Sequence, residues 1–311
     1  NCDRAEFIRI QCELVHLPEN APHRPALLKR EKALLKKYAK QWAKPFRDFI
    51  QLWTFHRGFL ESAVVTTKGM GDQFVPRFQQ LIDATPLRGI AIDQEFGEPK
   101  VLLPAAPLMT GLREFGIWRG HLYKDGKEYR KLFHSPHLSG LTTLDLVGLL
   151  DSSWFRPRTL SAILKSPVLS NLTTLLVSDY RNELHSTVLS AIAKSPSLTN
   201  LKHLGIRITS FDQTRIRAFS RAPFAQNLET LELQYCDLDQ DAWRELLSDK
   251  AFPNLKHLFL SGARIGGIEM QTRDQDSKSL RDQVKARFGS GALYLKQEFP
   301  HRPQYYSWWD K

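Results

Sequence analysis

From about residue 87 onward the apolar positions recur in one order. An aliphatic residue is followed by two residues of any kind, a second apolar residue, one more of any kind, and a third apolar residue. The runs are Leu87/Ile90/Ile92, Leu112/Phe115/Ile117, Leu141/Leu144/Leu146, Leu172/Leu175/Val177, Leu201/Leu204/Ile206, Leu228/Leu231/Leu233 and Leu255/Leu258/Leu260. Their first residues are spaced by 25, 29, 31, 29, 27 and 27. The closing part of each run alternates apolar with other residues, which predicts a short strand with its aliphatic side chains on one face. Amphipathic helix-length stretches lie between the runs: Phe74–Ala84, Thr159–Lys165, Thr187–Lys194, Thr214–Arg221 and Asp241–Leu247. Prolines 86, 136, 167, 196, 223 and 253 end most of the intervening segments, because proline disfavours helix at the residue before it. Two segments nearly copy each other at an offset of 29, Leu160–Leu169 (LSAILKSPVL) and Leu189–Leu198 (LSAIAKSPSL). One strand and one helix cannot bury an apolar face alone, whereas stacked units share a core. Seven unrelated strands in an ordinary α/β domain would not explain the near-copies or the constant register.

This pattern resembles the leucine-rich-repeat family, in its long strand–helix form, over roughly residues 80–265. The resemblance implies an α/β solenoid: a curved parallel sheet with helices on the convex side. The asparagine that the family places after the strand is absent from most units; Tyr235-Cys236 and Ser261-Gly262 stand there instead.

Both ends differ from the repeats. Residues 3–17 read as a helix with Phe7, Ile10, Leu14 and Leu17 on one face, and Asp3 with Glu6 has the spacing of a capping box. Residues 26–42 read as a second, basic helix. The segment Arg4–Leu14 (RAEFIRIQCEL) with Leu17-Pro18 resembles the end of the repeat-companion domain of planctomycete-type bacterial proteins. That family places this domain ahead of repeat arrays and has an acidic helix upstream, so a longer parent chain is expected. Residues 51–66 are expected to supply a strand that caps the solenoid. Leu280–Phe288 reads as a helix, Gly291–Leu295 as a last strand, and the tail Phe299–Lys311 (FPHRPQYYSWWDK) as an aromatic cap over the final repeat, with a disordered segment or a partner-docking peptide as the alternatives. The expected division is 1–50, a basic helical segment; 51–268, the solenoid; 269–311, cap and tail.

Composition narrows the classes. The 311 residues are 42% hydrophobic and 25% charged, fitting a soluble fold. No apolar run reaches the roughly 20 residues of a membrane helix. Cys2, Cys12 and Cys236 show no metal-ligand spacing, and a reducing, cytoplasmic compartment is expected. The net charge is +11, and residues 22–47 alone carry nine bases and one acid, or +8. Residues 264–311 carry nine bases and six acids, or +3, so the remainder sums to zero (11 − 8 − 3).

No catalytic or phosphate-binding motif is present. Gly69-Met70-Gly71 reads as a loop. His134 and His137 have Pro136 between them and no third ligand, so they read as a turn. Asp274 and Asp276 fall in Gln271–Lys278, which looks like a solvated loop too irregular for calcium. No enzyme, cofactor or metal is expected.

Candidate binding residues follow from the strand period of two, which turns the residues between the anchors to the concave surface. They form three rows: Glu114, Thr143, Thr174, His203, Thr230 and His257; Gly116, Asp145, Leu176, Gly205, Glu232 and Phe259; Trp118, Val147, Ser178, Arg207, Gln234 and Ser261. The rows hold three acids and one arginine, unlike a phosphate-tracking surface. A protein or peptide partner is the expectation, with Trp118, Val147, Leu176 and Phe259 as exposed apolar anchors. The rival site is the basic helix, where Lys29, Arg30, Lys32, Lys36, Lys37, Lys40, Lys44 and Arg47 could meet nucleic acid or an acidic protein. The chain is expected to be monomeric outside its complex.

Overall fold

The computed structural model of the protein describes residues 2–93, 99–118, 126–147, 157–178, 186–207, 209–248 and 250–295. The expected repeats fold as parallel strands: β3 (Gly89–Asp93), β4 (Glu114–Trp118), β5 (Thr143–Asp145), β6 (Thr174–Ser178), β7 (His203–Arg207), β9 (Thr230–Gln234) and β11 (His257–Phe259). Short β8 (Ser210–Phe211), β10 (Asp237–Leu238), β12 (Arg264–Ile265) and β13 (Ile268–Glu269) form a second, four-stranded sheet beside them. With β1 (Ile50–His56), β2 (Phe59–Thr66) and β14 (Leu293–Tyr294), the main sheet has ten strands in the order β1-β2-β3-β4-β5-β6-β7-β9-β11-β14. Its near-sequential order is that of a leucine-rich-repeat solenoid, each unit laid beside the last.

The alternation reading is confirmed in detail. Phe115, Leu144, Leu175, Leu204, Leu231 and Leu258 pair in one continuous register and are all buried. Helices cover that face: α3 (Phe74–Ala84), α4 (Leu102–Ala105), α5 (Lys127–Leu132), α6 (Pro157–Leu164), α7 (Ser186–Ala193), α8 (Gln213–Ser220) and α9 (Gln240–Leu246). One hydrophobic core runs from Phe7 to Val284.

The asparagine missing after the strand has a counterpart before it. Asn171, Asn200, Asn227 and Asn254 each precede the first leucine of a run. Each donates its side-chain amide to a carbonyl of the preceding unit: Ser139 at 2.8 Å, Ser170 at 2.9 Å, Thr199 at 2.8 Å and Gln226 at 2.6 Å. The ladder satisfies turn carbonyls that the sheet cannot reach.

Residues 51–66 give two strands rather than one. β1 (Ile50–His56) turns back into β2 (Phe59–Thr66), which then runs parallel to β3. The turn needs positive φ at both central residues, Arg57 at 49° and Gly58 at 82°, as a tight hairpin does. A Cβ at Gly58 would lie 1.9 Å from Ile8 Cγ1, so the turn also admits α1 (Cys2–His16) at close range. Gln11 locks that contact: its amide donates to the Phe55 carbonyl at 3.0 Å and accepts from the Gly58 N–H at 2.7 Å. The capping box expected at Asp3 and Glu6 does not form, because α1 begins at Cys2 and places Asp3 inside its first turn. Asp3 accepts from the Tyr38 hydroxyl at 2.5 Å and Glu6 from Arg30, both on α2 (Arg24–Trp42).

At the other end, the expected loop Gln271–Lys278 contains a helix start. α10 (Gln275–Phe288) is capped by Asp274, which accepts the Ser277 N–H at 2.7 Å. That bond, with another from Thr272, holds the Asp274 carboxyl down to a pKa of about 2. β14 (Leu293–Tyr294) adds the final parallel strand beside β11. The tail Phe299–Lys311 lies outside the described residues.

Candidate functional site: the inner face of the sheet

The three sequence rows are ladders in the structure. Gly89, Glu114, Thr143, Thr174, His203, Thr230 and His257 stand side by side in successive strands. So do Ala91, Gly116, Asp145, Leu176, Gly205, Glu232 and Phe259. In the third row Asp93 pairs with Trp118, and Ser178 with Arg207 and then Gln234. Val147 lies beyond the end of β5, where its N–H donates to Asp145 Oδ1 at 2.9 Å. Gly89, Ala91 and Asp93 extend the face by one strand; their signal was the Leu87/Ile90/Ile92 run itself.

Exposure corrects the expected anchors. Val147, Leu176 and Phe259 are only 6%, 5% and 0% exposed. Trp118 ends β4, and its side chain is not among those described. Each buried anchor has a local cause. Phe259 stacks on Tyr294 of the last strand with ring centroids 4.4 Å apart and planes 15° from parallel. Leu176 leans over Gly205, where a Cβ would come within 2.6 Å of its Cδ2. Glycine on the face thus lets neighbouring side chains close over the sheet.

The polar members are drawn in as well. His203 Nε2 and Glu232 Oε1 are 2.6 Å apart and both side chains are buried. The missing Cβ at Gly205 leaves room for that carboxylate, whose Oε2 would lie 3.2 Å from it. Asp145, Leu176, Gly205, Arg207 and Glu232 bound a cavity of about 10 Å³, room for about one water. Gln234 is buried, with neither amide atom hydrogen-bonded to a described residue. The polar members open to a partner are therefore the half-buried Glu114, Thr143, Arg207 and His257. Burial and repulsion from Glu61 push the Glu114 carboxyl above its ordinary pKa. Arrayed this way, the face can offer hydrogen bonds and shape over many strands. Among the described residues no group of three or more His, Cys, Asp or Glu could hold a metal ion.

The basic helix forms as expected and leaves Lys29, Arg30, Lys32, Lys36, Lys37 and Lys40 exposed, as are Lys44 and Arg47 in the turn just beyond it. Not all of that charge is uncommitted. Arg30 is gripped by both carboxylate oxygens of Glu6, at 2.7 and 2.6 Å, and Lys37 Nζ sits 4.8 Å from the Tyr38 ring centroid. Trp42 and Tyr38 pack inward, as their periodicity requires. No described helix is long and apolar enough to cross a membrane.

Strand order, anchor register and helix placement together define a leucine-rich-repeat solenoid. The chain is similar in structure to a protein from Bacteroides fragilis, at 15% identity over 88% of this chain and 85% of that one, with a TM-score of 0.46. It is also similar to a chain of the Rad7 and Elc1 complex in yeast, at 13% identity over 95% of this chain and 92% of that one, with a TM-score of 0.37. Neither likeness bears on function. No family model matches the chain. No curated protein matches it in sequence.

Proposed function

We propose that the protein is a non-catalytic scaffold that binds another protein on the inner face of its repeats. One observation carries the reading: two rows of mixed polarity, and parts of a third, run in register across successive strands, an array suited to a long surface rather than to one reacting atom. Glu114, Arg207 and His257 are the points of first contact: with Thr143 they are the described polar candidates that keep part of their surface, and theirs are the longer side chains. The resemblance of residues 4–18 to a domain that precedes repeat arrays is consistent with this reading. The test is affinity capture with the whole chain, in parallel with an Arg207→Glu/His257→Glu variant and a Lys36→Glu/Lys37→Glu variant. A stoichiometric protein lost only with the first variant supports the proposal. A partner held equally by wild type and the inner-face variant refutes it.

A second reading rests on α2. Lys29, Lys36, Lys40 and Lys44 are exposed and carry no ion pair among the described residues. A nucleic-acid-associated role would use them. Its mark is binding to generic RNA or DNA that falls steeply with salt and disappears in Lys36→Glu/Lys37→Glu.

A further inference from the structure

The opposite, convex side carries a feature that the scaffold reading does not use. Helices α6, α7 and α8 leave an open groove of about 1130 Å³ across three consecutive units. Its depth follows from the sequence. Ala162, Ala191 and Ala218 occupy one position in the three helices, at offsets of 29 and 27 residues, and form the floor with Leu189. The row ends in the next unit, where Glu245, a further 27 residues on, stands in α9 and binds Arg217 at 2.9 Å.

The rim is basic. Arg158, Lys165, Lys194 and Arg215 line the groove, and none of the other described lining residues is acidic. Lys165 and Lys194 are the lysines of the two near-copied segments. Several cations elsewhere in the solenoid are paired: Arg217 with Glu245, Arg264 with Asp237, and both Lys202 and Lys256 with Glu229. Of the four rim cations, Arg215 alone has an ion pair among the described residues, with Asp212 at 3.7 Å. Arg158, Lys165 and Lys194 are exposed and have no ion pair among the described residues.

We infer that this groove docks an acidic amphipathic segment of a partner protein. An apolar stripe of that segment would rest on the alanine floor, and its carboxylates would meet the four cations on the rim. Helix-in-groove recognition uses this combination of small floor residues and flanking charge. The floor argues against nucleic acid, since among the described residues that line it there is no aromatic ring on which a base could stack.

The test is fluorescence anisotropy with the whole chain and a labelled synthetic helix bearing leucines on one face and glutamates along both edges. A lysine-for-glutamate version of that peptide and an oligouridylate serve as competing probes. Two variants remove different parts of the site: Lys165→Glu/Lys194→Glu reverses the rim, and Ala218→Trp fills the exposed floor while keeping every charge. Circular dichroism and the thermal midpoint verify that both stay folded. The expected result is saturable binding of the acidic peptide alone, weakened about tenfold or more in each variant. Failure of the acidic peptide to bind wild type would overturn the inference. So would undiminished binding to folded Ala218→Trp, or oligouridylate binding as tightly and depending on the same lysines.

Discussion

The N-terminal helices and the repeats share one hydrophobic core, but they are held by different means. Around α1 and α2 the contact is a knot of rings: Phe7 lies 5.0 Å from Trp42, and Trp42 lies 5.6 Å from Phe55 in an edge-on arrangement. A single polar side chain, Gln11, ties α1 to the hairpin. In the repeats the main contacts recur. Leucine sits on leucine from strand to strand, and asparagine follows asparagine along the turn. A knot concentrates its stability in a few groups, whereas a stack spreads it over neighbours.

That contrast can be broken at either end. The largest effect should come from Leu204→Ala, which empties a fully buried position between Leu175 and Leu231. We expect a loss of about 3 kcal/mol in urea unfolding, felt by the whole stack. Gln11→Ala should cost about 2 kcal/mol by leaving the Gly58 N–H and Phe55 carbonyl unpaired, with the damage confined to α1 and α2. Limited proteolysis between His16 and Arg24 should accelerate in that variant while the strands stay protected. Asn200→Ala removes one rung of the turn ladder and should cost about 1 kcal/mol, little more at Asn200 than at Asn227.

Two smaller effects depend on pH. Asp274 titrates near 2 in the folded chain, below an ordinary carboxylate, so its capping contribution is complete above roughly pH 4 and fades as pH falls toward 2. The thermal-midpoint gap between wild type and Asp274→Asn should therefore close over that range. Glu114 has the opposite sign. Its raised pKa means that the ionised carboxylate is disfavoured in the fold, so whatever stability the protonated form brings is lost as pH rises. Glu114→Gln should raise the midpoint slightly at neutral pH and leave it unchanged at about pH 3.

What the sequence made legible is what depends on period. The leucine anchors, the helices before them and the proline stops all follow from spacing, and the three inner rows follow from alternation. Features that depend on one residue's conformation or on a distant neighbour were hidden. The β1–β2 hairpin turns at Arg57-Gly58, and nothing in Trp53–Phe55 or Leu60–Ala63 announces a positive φ at an arginine. The start of α10 is polar throughout, so only Asp274 three residues before Ser277 signalled it. Gln11 sits on the apolar face of α1 beside Phe7, Ile10 and Leu14, and that misplaced polarity was the available clue. The asparagine ladder was visible as Asn-Leu at each run from residue 171 on, but its partners lie a whole unit away. Exposure of the inner face was misread because it depends on what stands next door: Gly205 beside Leu176, and Tyr294 over Phe259.

The claim beneath all of this is that each unit is held by its neighbours. Hydrogen exchange on the intact chain, compared with Leu204→Ala, tests it most directly. The account predicts that the substitution speeds amide exchange in β6 and β9 as well as β7, while α1 and α2 keep their own rates. Acceleration limited to β7, with the flanking strands unchanged, would contradict it.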